Sequence, residues 1–363
     1  MHTDIKILQL GKFYPIRGGV EKVMWDLTRG LGGRGIHCDM LCAALPDEEP
    51  RVIELSPTSR CIIVPAIAKK AATMISPAMI RYLRLHASEY DIIHVHHPDP
   101  MACLALCLSG YKGRVFLHWH SDILSQKFLL RLYQPLQKWL LKRAERIIGT
   151  TPAYISRSPW LKDFSSKTCS LPIGIEDTMC TGAQAGQTRG VRIFSLGRLV
   201  EYKGYRYLVE AGKYLPEDCE IRIGGEGPLR GELESQIKSL GVRVKLLGRL
   251  TDDEVREEMN ACDVFVLPSI MKTEAFGIVQ LEAMSCRKPV VATEIPGSGT
   301  AWVNAHGESG LNVPPRDAEA LADAIIRLTA DREELKAYGI RARARYETLF
   351  TLDAMLDGYM EMI

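Results

Sequence analysis

The stretch Ser269-Ile-Met-Lys-Thr-Glu274-Ala-Phe-Gly277-Ile-Val-Gln-Leu-Glu282 decides how this chain reads. Before it, Asp263-Val-Phe-Val-Leu-Pro268 is an apolar, β-branched run of the kind that forms a buried parallel strand. After it, Ile278, Leu281, Ala283 and Met284 recur at helical spacing, so a helix is expected to begin near Phe276-Gly277. The unit is therefore strand, loop, helix, with Glu274 on the loop and Glu282 in the second turn of the helix. Free N–H groups at such a helix start suit an anion, for example a diphosphate. Two carboxylates beside an anion would repel it, so they are better used as acceptors for sugar or ribose hydroxyls.

The same alternation runs outward in both directions. Arg192–Leu196 reads as a strand that leads into Gly197-Arg198 and Lys203-Gly204, two cations placed just before a helix from Tyr205 to Tyr214. A guanidinium fork and an ammonium point charge together suit a diphosphate, although a surface ion pair would use the same residues. Glu220–Gly224 is a strand followed by the loop Gly225-Glu-Gly-Pro228. Val242–Leu247 is a strand followed by Gly248-Arg249-Leu250, and Thr251 with Glu254 forms a capping box. Lys288–Thr293 and Gly310–Pro314 are further strands, and helices are expected over Asp317–Thr329, Asp331–Tyr346 and Thr351–Met362.

In the first half, Asp4–Leu10 is a strand followed by a loop containing Gly18-Gly19, then a helix from Val20 to Arg34. Paired glycines there let backbone approach a phosphate or sugar closely, and a plain tight turn would look the same. There is no G-x-G-x-x-G, which counts against a dinucleotide site. Asp91–His97 and Arg114–His120 are strands that run out into polar residues, the place where open α/β sheets hold ligands. His94, His96, His118 and His120 form i, i+2 pairs on one strand face. No carboxylate or thiolate completes a familiar ligand set around them, and no metal is expected. His120 is the one expected to face a ligand. Gln126–Arg146 is a helix rich in cations with Pro135 inside it. It could lie against an anionic lipid surface or be a core-packing helix with a solvated basic face.

At 363 residues the chain is long enough for two domains. Residues 1–178 hold 23 Lys/Arg against 16 Asp/Glu, and residues 179–363 hold 23 against 28, so a basic half precedes an acidic one. The hydrophobic content of 46% is ordinary, no apolar run reaches the length of a membrane span, and the start lacks a signal-peptide layout. The ten cysteines include no C-x2-C pair and read as buried thiols in a reducing compartment. Alternating strands and helices in both halves give an α/β chain with two doubly wound parallel sheets. The expected domains are 1–177, 178–346 and a C-terminal helix over 347–363 that crosses back to the first. The linker is placed at Thr178–Arg189.

Taken in order, these pieces resemble retaining glycosyltransferase family 4. They are Gly18-Gly19, His118-Trp-His120-Ser-Asp122, Leu171-Pro-Ile-Gly-Ile-Glu176, Gly197-Arg198 with Lys203-Gly204, Gly225-Glu-Gly-Pro228 and Glu274 to Glu282. That family has the GT-B fold, two Rossmann-like domains facing across a cleft. Trp119-His-Ser-Asp122 and Pro296-Gly-Ser-Gly299 also resemble the bacterial mannosyl/rhamnosyltransferase branch of surface-polysaccharide synthesis.

The resemblance implies a catalytic set of His120, Arg198, Lys203 and Glu274. Arg198 and Lys203 would hold the diphosphate, and the backbone at Ala275, Phe276, Gly277 and Ile278 would add N–H donors. Glu274 would bind sugar hydroxyls, Glu282 the ribose, and the chain near Arg249-Leu250 the base. His120 would touch the donor sugar, and Gly18-Gly19 would cover the phosphates. The donor would be a nucleotide sugar, best matched by GDP-mannose, and would be a co-substrate rather than a cofactor. The acceptor would be a lipid-linked oligosaccharide or growing glycan; residues 127–146 would touch anionic membrane, and nucleic acid is not a partner. The chain would work in the cytoplasm, peripheral to the inner face of the plasma membrane. Two other readings use the same scaffold. A nucleotide-sugar epimerase would convert donor with no acceptor present, and a non-catalytic glycan-binding or regulatory subunit would turn over nothing.

Overall fold

The computed structural model describes residues 5–16, 19–45, 48–70, 73–123, 127–180 and 190–363. Gly18, most of the expected linker (181–189) and the side chains of 127–129 lie outside the described residues.

The chain divides into two compact units, Met1–Ile173 with Met355–Ile363, and Gly174–Ala354. These limits differ from the expected boundaries at 177/178 and 346/347, and the reason is local. The Ile175 N–H donates to the Phe350 carbonyl at 2.9 Å, and the Leu352 N–H returns to the Ile175 carbonyl at 2.9 Å. Phe350 is fully buried, edge-on to Phe276 and Trp302. Arg343 bridges to Asp177. Both connecting segments are thus anchored in the second unit.

In the first unit the strands are β1 (Lys6–Tyr14), β2 (His37–Ala44), β3 (Arg51–Ser56), β4 (Ser59–Val64), β5 (Ala68–Lys70) and β6 (Thr73–Ile75). They are followed by β7 (Ile92–His97), β8 (Arg114–Trp119), β9 (Arg146–Gly149) and β10 (Thr168–Ser170). Its helices are α1 (Val20–Gly33), α2 (Pro77–His86), α3 (Pro100–Ser109), α4 (Lys127–Arg143) and α5 (Pro152–Arg157). Among the described residues the main sheet has the order β10-β9-β8-β7-β1-β2-β4-β3. It is parallel except for β3, which pairs antiparallel with β4 at the edge. Strands β1, β7 and β8 are central and covered on both faces, so buried residues follow one another along them rather than alternating with exposed ones. Helix α4 continues through Pro135 without dividing.

In the second unit β11 (Val191–Leu196), α6 (Tyr205–Ala211), β12 (Cys219–Gly224), α7 (Arg230–Leu240), β13 (Val244–Gly248) and α8 (Asp252–Ala261) come first. Then come β14 (Val264–Leu267), α9 (Val279–Ser285), β15 (Val290–Thr293), α10 (Thr300–Val303), β16 (Gly310–Val313), α11 (Ala318–Thr329) and α12 (Arg332–Leu349). The order β13-β12-β11-β14-β15-β16 is parallel throughout and reverses direction between β11 and β14. That reversal is a topological switch point, where an open sheet leaves a crevice at its carboxyl ends. The Thr251/Glu254 capping box opens α8 as expected.

Helix α13 (Leu352–Met360) carries the chain into the first unit. A Cβ on Gly30 would sit 2.5 Å from the Leu356 side chain, so α1 has a glycine where α13 packs. Tyr359 is fully buried, with its hydroxyl 3.1 Å from His94 Nδ1.

The loops after β11 and β12 are sutured backbone to backbone. The Gly197 N–H donates to the Gly224 carbonyl at 3.0 Å and the Leu199 N–H to the Glu226 carbonyl at 2.9 Å. Gly225 has a φ of 130°, and a Cβ there would collide with the Gly197 carbonyl. Gly225→Ala is expected to lower stability by about 2–3 kcal/mol. Gly231→Ala, in a helix with nothing near the added methyl, should raise it by about 0.4–1 kcal/mol. Urea melts of the two variants check the contrast.

Candidate functional site

The site in the second unit is built at that switch point. After β11, Arg198 stands exposed, and among the described residues its guanidinium has no hydrogen bond or ion pair. A 3-10 turn over Glu201–Lys203 then brings the chain to Gly204, with a φ of 68°. A Cβ on Gly204 would strike the Pro268 carbonyl at the end of β14, so only glycine lets the two strand ends come this close. The Ile270 N–H donates to the Tyr202 carbonyl at 2.8 Å and fixes that approach.

The result is a direct ion pair that the sequence did not reveal. Lys203 Nζ lies 2.5 Å from Glu274 Oε2, with side chains only 11% and 12% exposed. The Ser269 hydroxyl donates to the same carboxylate oxygen at 2.9 Å. The Thr293 hydroxyl holds the Ser269 carbonyl, and the Ser298 hydroxyl donates to the Glu274 carbonyl. The Gly299 N–H donates to the Ala275 carbonyl at 2.8 Å. Pro296-Gly-Ser-Gly299 therefore clamps the Glu274 loop. Ser269 and Ser298 carry no signal of their own in the sequence beyond lying inside these two motif stretches.

Helix α9 begins at Val279, later than the expected Phe276-Gly277, and Glu282 falls in its first turn rather than its second. Gly277 delays the start. Its φ is 78°, and a Cβ there would sit 2.7 Å from the Leu267 side chain. Among the described residues the N–H groups of Ala275, Phe276, Gly277 and Ile278 have no acceptor. Glu282 is half-buried. Leu250 lies close over Gly224, where a Cβ would come 2.7 Å from its Cδ1, and Arg249 beside it is exposed. The second unit thus brings Lys203 and Glu274 into contact, while Leu250 covers the glycine end of β12.

In the first unit Gly19 is exposed with a φ of 58°, a conformation that favours glycine, and an added Cβ would meet nothing. His120 is not an open side chain. It is only 6% exposed, and its Nε2 is 2.9 Å from His96 Nδ1. His96 Nε2 is in turn 2.7 Å from Gln9 Oε1. The rings of His118 and His120 stack at 4.0 Å, and His97 stacks on Trp119 at 3.7 Å. Trp119 and Asp122 serve the loop itself. Trp119 Nε1 donates to Asp122 Oδ1 at 2.9 Å, as does the Ser158 hydroxyl at 2.8 Å.

Nitrogens of His94, His96 and His118 lie within 4.8 Å of one another, close enough to hold a metal ion. Both His96 nitrogens are already engaged, so an ion would have to displace Gln9 or His120.

Two family descriptions match the chain, "Glycosyltransferase Family 4" over residues 17–157 and "Glycosyl transferases group 1" over 185–345. The sucrose-phosphate synthase structure from Thermosynechococcus elongatus superposes with a TM-score of 0.78 at 23% identity, over 98% of both chains. Two doubly wound parallel-sheet units of this kind make the GT-B fold, and the two family descriptions make the chain a glycosyltransferase. Among curated proteins, O-antigen chain mannosyltransferase C of Escherichia coli is 32% identical over 99% of this chain and 98% of its own length. D-rhamnosyltransferase WbpZ of Pseudomonas aeruginosa is 33% identical over 92% of this chain and 88% of its own. The chain belongs to glycosyltransferase family 4.

Burial holds the imidazoles neutral. It pushes His94, His96 and His120 well below their ordinary value, and His97 and His118 down to about 3. The unfolded chain takes up protons near pH 6.5 that these five refuse in the fold. Their stabilising contribution is therefore complete above about pH 6.5 and is lost as pH falls towards 3. Urea midpoints should fall steeply between pH 6.5 and 5; a flat profile to pH 4.5 would contradict this.

Proposed function

We propose that this glycosyltransferase moves mannose from GDP-mannose, with retention at the anomeric carbon, onto a lipid-linked or growing surface glycan. The name of the Escherichia coli relative, an O-antigen chain mannosyltransferase, supports the sugar and the kind of acceptor, while that of the Pseudomonas relative gives D-rhamnose as the sugar. The observation that carries the chemistry is the Lys203–Glu274 ion pair, with the unpaired Arg198 guanidinium nearby in the chain. Breaking the anomeric bond leaves an oxocarbenium-like sugar and a diphosphate. A fixed ammonium and an uncommitted guanidinium stabilise the charge that grows on the leaving group. Lys203 has three N–H donors, so it can keep Glu274 and still bind phosphate oxygens. In this reading the two cations do the work a metal would do, and no cofactor is assigned.

Glu274 Oε2 already accepts from Lys203 and Ser269, which makes it a poor nucleophile and argues against a glycosidase-like pair of carboxylates. The acceptor's proton then goes to a leaving phosphate oxygen on the same face of the sugar. Glu274 takes sugar hydroxyls, the Ala275–Ile278 N–H groups take sugar and distal phosphate, and Glu282 takes the ribose. Arg249-Leu250 meets the base, Gly18-Gly19 the phosphates and His120 the donor sugar.

We also assign an anionic membrane as partner. Helices α2, α3 and α4 pack side by side and contain no Asp or Glu. They expose Leu85, Leu104, Leu108 and Leu132 beside Arg81, Arg84, Arg131, Lys138 and Lys142. Apolar side chains among uncompensated cations suit an anionic bilayer surface. Among the described residues no helix is long and apolar enough to cross one. The surface in question is the inner face of the plasma membrane.

Lys203→Ala should reduce kcat about a hundredfold to a thousandfold in a GDP-mannose assay while GDP-mannose still raises the Tm; near-normal turnover would refute the phosphate assignment. A thermal-shift panel of GDP-, UDP-, dTDP- and ADP-sugars should single out GDP-mannose. Flotation with vesicles containing phosphatidylglycerol should exceed that with phosphatidylcholine alone and be lost in Leu132→Glu/Lys138→Glu. Indifference to lipid charge would remove the membrane assignment.

A further inference from the structure

Gln9 lies on β1, fully buried, and its side chain ends beside β7. Its Oε1 is 2.7 Å from His96 Nε2, while its Nε2 faces the Cys38 sulfur at 3.7 Å. The short contact identifies the amide orientation. A separation of 2.7 Å is normal for N–H···O and too close for two nitrogens to share a proton comfortably. A carbonyl oxygen only accepts, so the His96 proton is on Nε2 and its Nδ1 is bare. That bare Nδ1 is 2.9 Å from His120 Nε2, which must therefore be the N–H donor. A neutral imidazole has one N–H, so the His120 Nδ1 carries a lone pair. Burial, which holds both rings neutral, keeps the chain of tautomers from being overridden by protonation.

We propose that Gln9 is a positioning residue that fixes the tautomer of His120 through His96, so that His120 presents Nδ1 as a hydrogen-bond acceptor to a hydroxyl of the bound sugar. The acceptor half of this rests on the reading that His120 touches the donor sugar. The relay from Gln9 to His120 does not. A neutral acceptor here selects a ligand that offers a hydroxyl. It also explains why a glutamine stands in the middle of an otherwise apolar buried strand: the amide is the fixed end of a three-member relay.

The test is the long-range proton–nitrogen spectrum of full-length protein carrying nitrogen-15 histidine, with His120 assigned from the signal lost in His120→Asn. The expected result is a protonated Nε2 and a bare Nδ1 on both His96 and His120. A proton on His120 Nδ1 in the wild-type protein overturns the relay, whether or not any variant folds. Gln9→Met, which removes the acceptor, should give mixed tautomers at both rings, and Gln9→Glu, which keeps one, should hold the His96 proton on Nε2; an unchanged His120 signal in Gln9→Met overturns the role of Gln9. Calorimetry with GDP-mannose and with GDP tests the other half. Gln9→Met should weaken GDP-mannose about fivefold, the net worth of one hydrogen bond, and leave GDP unchanged. Mixed tautomers with unaltered GDP-mannose affinity would overturn the sugar contact and leave the relay standing.

Discussion

The arrangement in the second unit depends on a lysine ammonium held against a glutamate carboxylate at the ends of two neighbouring parallel strands. A pair this shielded is costly to desolvate and adds little net stability. Its value is positional. Gly204 lets the turn after β11 reach the end of β14, and the serines at 269 and 298 hold the Glu274 loop from the other side. A charge placed in advance does not have to be reorganised when a leaving group develops negative charge, and this is the main way a protein accelerates such a departure. In the proposed reaction Arg198, exposed and without a partner among the described residues, would complement it.

The first unit solves a different problem. Its central strands β7 and β8 run out in histidines, and the fold buries them nearly completely instead of leaving them in water. Stacking, the Gln9 amide and the Tyr359 hydroxyl of α13 accommodate the rings. Nitrogens on His94, His97 and His118 remain without partners among the described residues. Buried unpartnered nitrogens are expensive. The first unit thus tolerates a local cost near His120, and the terminal helix contributes to the same cluster.

Much of this is legible in the sequence because it rests on local signals. Strand runs such as Asp263–Leu267, the Thr251/Glu254 cap and the glycines at strand ends each encode their own backbone, and the ordered motifs point to the family. What is not legible depends on contacts far apart in the chain. No periodicity pairs Lys203 with Glu274, because the pair exists only when β11 and β14 lie side by side. Helix α9 starts later than its spacing suggests because Gly277 packs against Leu267 in a left-handed conformation, a tertiary constraint that overrides helical spacing. A position at the end of its strand suggests an open cleft residue at His120. Its burial follows from neighbours on β7 that sequence spacing cannot align. The domain limits differ from those expected because Phe350 binds its segment to the second unit.

The most direct test is a crystal structure of the protein with GDP-mannose bound. The account predicts the diphosphate at the carboxyl ends of β11 and β14, with Lys203 Nζ and the Arg198 guanidinium on its oxygens and Ser269 still holding Glu274. A diphosphate bound anywhere else, or at that place with both cations turned away, would contradict it.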